Sequence, residues 1–195
     1  SSDVCSSDLC DGAGQGNQCN PTLCNLIFCS NNASYGGAIW NYGDNSGTSS
    51  PILINVIFFG NKAKYQGGGM YNSGQSRGTS NPTLINVTFS GNTAGNFGGA
   101  ISNNGTGGTS KPVLANSIFW NNTAGSTPDE IYSHFASPTI SYSIIKGGVN
   151  SNKGAVNGGH NLANDPRFVG PIDPGKGPST ASGLRLPRWP APKRR

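Results

Sequence analysis

Charge is scarce in this chain: only 11% of its 195 residues are Asp, Glu, Lys or Arg. Eight carboxylates and two histidines leave little material for clustered acid–base or metal chemistry. Helix-forming charge patterns are missing too, and no apolar run recurs at i, i+3, i+4. Thirty glycines, each costing about 1 kcal/mol inside a helix, exclude a helical solenoid. No stretch nears the ~20 apolar residues of a membrane helix, and no signal peptide is visible. The five cysteines show neither Cys-x-x-Cys spacing nor a neighbouring histidine, which argues against zinc. A phosphate-binding Gly-x-x-x-x-Gly-Lys-Ser/Thr loop is also missing.

What is present is a phrase that returns in register. It reads NPTLCNLIF at 20–28, SPILINVIF at 50–58, NPTLINVTF at 81–89 and KPVLANSIF at 111–119. Prolines at 21, 51, 82, 112 and 138 set steps of 30, 31, 30 and 26 residues. A fixed period of this size marks a stacked array whose units bury their apolar faces against one another. Glycine-rich polar sequence tends to disorder, but a disordered linker has no reason to keep register with itself.

Both ends depart from the pattern. Residues 1–9 resemble a translated sequencing adapter and are set aside as an artefact. Residues 171–195 turn to Pro and Arg and are expected to be an irregular, frameshifted tail. The repeat domain is therefore expected over 10–170. With Met70 as the only methionine, the chain is expected to be a fragment of a longer reading frame. The net charge of +5 falls with these exclusions, because Asp3, Asp8, Arg185, Arg188, Lys193, Arg194 and Arg195 drop out. A nucleic-acid-binding role for the terminal basic run is not expected, since no aromatic stripe interleaves it. Cys10, Cys19, Cys24 and Cys29 remain, read as small core-fillers with one disulfide in the first coil left open.

One unit, 81–110, shows how a coil is built. Thr83 to Phe89 is rich in β-branched and aromatic residues and reads as strand. Leu84 has the opposite parity to Val87 and Phe89, so a bend at Asn86 is expected to split the run in two. Ser90, Gly91 and Asn92 make a turn; Gly98 to Asn103 is a third extended piece, and 103–110 is a loop. Three short strands per thirty residues predict an all-β, parallel β-helix of roughly five coils.

Stacking predicts columns. Asn25, Asn55, Asn86 and Asn116 hold one place per coil; Asn31, Asn61, Asn92 and Asn122 hold another; Asn41, Asn72 and Asn103 hold a third. With coils ~4.8 Å apart, equivalent amides can form ladders, and Asn also tolerates left-handed bends. Phe28, Phe58, Phe89 and Phe119 should stack inside beside Leu26, Val56, Val87 and Ser117. Ile39, Met70, Ile101 and Ile131 should form another inward line. The pairs Gly36–Gly37, Gly67–Gly68 and Gly98–Gly99 mark places needing positive φ or close approach. Sequons at Asn32, Asn86, Asn104 and Asn121 are read as chance products of an Asn/Ser/Thr-rich chain.

Gly-Gly-Ala-Ile at 36–39 and 98–101, in phase with Phe-x-x-Asn at 28–31, 58–61, 89–92 and 119–122, resembles the repeat of chlamydial polymorphic outer-membrane proteins. It is also similar to bacterial right-handed parallel β-helix proteins of the choice-of-anchor Q type. SPTISYSII at 137–145 and NDPRFV at 164–169 look like the closing part of those domains. The resemblance spans about residues 20–170 and is specific for fold rather than function. It implies an exported bacterial surface or secreted domain, outer-membrane-associated, structural or adhesive, without cofactor. The family's further strand and C-terminal anchoring signal are not recognisable after Leu184, Arg185 and Leu186.

Other parallel β-helices cleave polysaccharides with clustered carboxylates. Here Asp11, Asp44, Asp129, Glu130, Asp165 and Asp173 share no column, and Asp129 with Glu130 should point to opposite faces in solvent. His134 and His160 each stand alone. No catalytic, metal or cofactor residue is assigned, although a polysaccharide-active enzyme or carbohydrate-binding module is the alternative. Trp40 and Tyr71 hold equivalent places and should alternate outward, where they could contact host or environmental glycans or proteins. An ice-binding face is disfavoured by the mixed column Thr22, Ile52, Thr83, Val113 and Thr139. A monomer without membrane insertion is expected.

Overall fold

A computed structural model describes residues 2–4, 8–127 and 130–168, with side chains from residue 10 onward. The residues form an all-β parallel solenoid of about four turns at roughly 30 residues per turn. The fifth coil of the sequence reading is partial: Thr139–Ser141 and Ile144–Ile145 continue two sheets, followed by a short 3-10 turn. The expected tail 171–195 and Asp173, Asp129, Val169 and Cys5 lie outside the described residues.

Each turn has four strands rather than three. In the second turn these are Ile52–Ile54, Ile57–Phe59, Lys62–Gln66 and Met70–Ser73. The unforeseen one is the third, repeated as Asn32–Tyr35, Thr93–Ala94 and Thr123–Ala124. Its inward residue is alanine: Ala33, Ala63, Ala94 and Ala124 lie in register. All ladder pairs are parallel, in two six-stranded sheets, one five-stranded, one four-stranded and one two-stranded. The backbone of Ser2–Val4 pairs with Leu26–Phe28, and that of Asp8–Asp11 with Ile39–Tyr42.

The bend between the first two strands follows from asparagine chemistry. Asn25, Asn55, Asn86 and Asn116 have φ of 57°, 55°, 56° and 52°, a region this side chain enters more easily than most. One left-handed residue cancels the parity break, so Leu84, Val87 and Phe89 all point inward and are fully buried. Phe28, Phe58, Phe89 and Phe119 stack through the centre, with centroids 5.0, 4.4 and 5.2 Å apart. Burying each such ring contributes about 1.5–3 kcal/mol. Ile39, Met70, Ile101 and Ile131 form a second buried file in direct register.

The glycine pairs divide their work. Gly67 has φ of 68°, whereas a Cβ on Gly68 would collide with the Gly99 carbonyl of the next turn. The glycine-rich loops stack as well: Thr48, Thr79 and Thr109 bridge in series, and Gly43 N–H donates to the Ser73 carbonyl at 2.8 Å.

Candidate functional site: the aromatic corner

The recurring amides bond turn to turn. Asn61 Nδ2 donates to Asn92 Oδ1 at 2.8 Å, and Asn92 Nδ2 to Asn122 Oδ1 at 2.8 Å. Asn31 Nδ2 donates to Asn61 Oδ1 at 3.0 Å, and each acceptor also takes the preceding asparagine's backbone N–H. Asn41, Asn72 and Asn103 form a second buried ladder at 2.7 and 2.8 Å. Asn25, Asn55 and Asn86 form a solvent-exposed one, each bond 3.2 Å. Asn116 shares their backbone bend.

One acid lies where the sequence reading did not put it. Glu130 is buried at 3% exposure instead of facing solvent. Its carbonyl takes the N–H of Ala100, which places it next in the interior file Ala38, Gly69 and Ala100. Its Oε2 accepts from Asn122 Nδ2 at 2.6 Å, closing the amide ladder. Asp44, in the glycine-rich loop after Tyr42, is buried and accepts from Ser73 Oγ and Gln75 N–H, both at 2.7 Å. Of the cysteines, Cys10 and Cys19 form a disulfide, while Cys24 is exposed on the outer face of its strand and fills no core.

Trp40 and Tyr71 are brought together, with ring centroids 6.2 Å apart, but Tyr71 is not an exposed platform. It is 5% exposed because Tyr35 leans over it at 5.1 Å from the neighbouring sheet. Burial holds its phenol above the ordinary value, partly offset by the Asn104 amide donating at 3.4 Å. Trp40 is half-buried between Tyr35 at 5.7 Å and Tyr42 at 5.0 Å. Tyr65 is the exposed member, 5.2 Å from Tyr35, with Lys64 Nζ 5.1 Å from its ring centre.

The cluster is one end of a seam. Trp40, Tyr71, Ser102 and Tyr132 are register partners on one sheet. Tyr35, Gln66 and Phe97 run alongside on the next. The two files touch turn by turn: Ser102 Oγ donates to Gln66 Oε1 at 3.0 Å, and Phe97 stacks on Tyr132 at 4.3 Å. Tyr35 and Tyr65 escaped the sequence reading because they lie on the strand it missed, and Phe97 follows that strand by three residues. Comparison with family models, curated proteins and solved structures finds no match. Among the described residues no helix is long and apolar enough to cross a membrane.

Proposed function

We propose that this chain is a repeat domain of an exported bacterial protein, structural and adhesive rather than catalytic, acting at or outside the cell surface as a monomer. One observation supports this reading most: the polar side chains that recur from turn to turn are spent on holding the turns together. Asn61 and Asn92 bond to the turns on both sides, and Asp44 accepts from Gln75 of the next turn. Withdrawing such buried groups for chemistry costs about 1–3 kcal/mol per orphaned partner. The aromatic corner brings several rings together on adjoining sheets, and ring faces edged with hydroxyls suit sugars or a protein surface. The repeat motifs' resemblance to exported β-helix proteins supports the location.

The test pairs a glycan array with a lyase and hydrolase assay on the full chain. Retention that falls in Tyr65→Ala and Trp40→Ala, with no turnover, is the expected result. Product release from a polyuronate that Asp129→Ala or Glu130→Ala abolishes would replace this reading with the polysaccharide-active one.

A further inference from the structure

We infer that the aromatic corner binds an anionic polysaccharide, laid along the solenoid axis; this deepens, and rests on, the adhesive reading above. The seam runs along the axis, not around it, because its members are register partners on successive turns. Tyr35 and Trp40 start it, and Phe97 with Tyr132 ends it. Turns ~4.8 Å apart give it a length of ~14 Å, room for a short run of sugar rings and narrow for a protein partner.

Charge selects the class. Lys62, Lys64, Arg77, Lys111, Lys146, Lys153 and Arg167 are exposed, whereas Asp11 and Asp165 are the only exposed acids among side chains described. Asp44 and Glu130 are withdrawn into the scaffold. Two of the cations border the seam. Lys64 lies over Tyr65, and Lys153 Nζ lies 5.0 Å from the ring centre of Tyr132. Tyr71 and Tyr132 are two rungs apart, ~9.6 Å along the axis. Cations at separated rungs, with the Phe97 ring on the rung between them, match a chain of carboxylated or sulfated sugars. The rings supply stacking surface and the ammonium groups supply sign.

The full chain is titrated with sodium polygalacturonate and, as an uncharged control, dextran, each at low and high salt. Polygalacturonate is expected to bind, dextran about tenfold more weakly, with salt removing most of the difference. Lys64→Ala combined with Lys153→Ala is expected to weaken polygalacturonate about tenfold, while Lys111→Ala, an exposed cation on another face, leaves affinity within about twofold. Equal binding of dextran, or indifference to the double lysine change, overturns this inference and leaves the adhesive reading standing. Failure of both polymers here and of every ligand on the glycan array sinks both.

Discussion

Asn92 offers the sharpest test of what holds the turns in place. Its side chain accepts from Asn61 N–H at 3.0 Å and Asn61 Nδ2 at 2.8 Å. It donates to the Phe58 carbonyl at 3.0 Å and to Asn122 Oδ1 at 2.8 Å. Truncation in Asn92→Ala orphans two donors on Asn61 in a site with no solvent exposure. At ~1–3 kcal/mol per orphaned buried group, the cost is about 2–6 kcal/mol. Asn122 Oδ1 keeps the Asn92 backbone N–H, so the damage is directed toward the preceding turn. Asn86→Gly is the matched control: it breaks a 3.2 Å bond in the exposed ladder while keeping a residue at ease at φ of 56°. Its cost is expected to stay below about 1 kcal/mol. Denaturant unfolding followed by circular dichroism compares the two, and amide exchange at Asn61 reads the local opening. Equal losses in the two variants, or unchanged exchange at Asn61, would refute the reasoning.

Phe89→Ala removes a fully buried ring held between Phe58 and Phe119; a loss of about 3–5 kcal/mol in unfolding free energy is expected. Gly68→Ala sets a methyl against the Gly99 carbonyl, so soluble yield and thermal midpoint should fall sharply, whereas Gly16→Ala, with open space around it but φ of 81°, should cost only about 1–2 kcal/mol. Burial raises the Tyr71 phenol, so its neutral form is favoured in the fold; that stabilisation is present below 10.0 and is lost as pH rises through the folded value. Tyr71→Phe should therefore lose less stability than the parent between pH 9 and 11, read from thermal midpoints across ~2 pH units.

The repeated columns were legible because a stacked coil uses the same residue for the same physical job at every step. Proline spacing, the phenylalanine file and the left-handed asparagines each fulfil a geometric demand that a single chain displays four times. The third strand was not read because its inward residue is only alanine, which carries too little apolar contrast to stand out. Lys62, Ala63 and Lys64 nonetheless alternate exposed, buried, exposed, and the alanine column was available as a signal. Tyr71 illustrates a different limit. Alternation correctly sends it away from the core, but its cover comes from Tyr35 on an adjoining strand, which period-2 reasoning along one segment does not see. Glu130 was misplaced by treating it as part of an isolated pair with Asp129. Counting it into the file of Ala38, Gly69 and Ala100 places it inside.

A ladder of amides has a direction, and its two ends pose opposite problems. In both buried ladders Nδ2 donates toward the following turn, so the last member needs an acceptor and the first needs a donor. The far ends are answered: Asn122 finds the Glu130 carboxylate at 2.6 Å, and Asn103 finds Ser133 Oγ at 3.2 Å. At the near end Asn41 Oδ1 is buried without a partner among the described residues. Its register neighbour is Cys10, whose sulfur is committed to Cys19 and has no proton to give. An asparagine there would supply the missing donor. Cys10→Asn and Cys10→Ala both lose the disulfide, so their difference isolates the amide. The asparagine variant should be the more stable by about 1 kcal/mol in denaturant unfolding, the net worth of one such bond. An alanine variant of equal or greater stability would mean that the amides align without pulling on one another, and that packing alone sets the register.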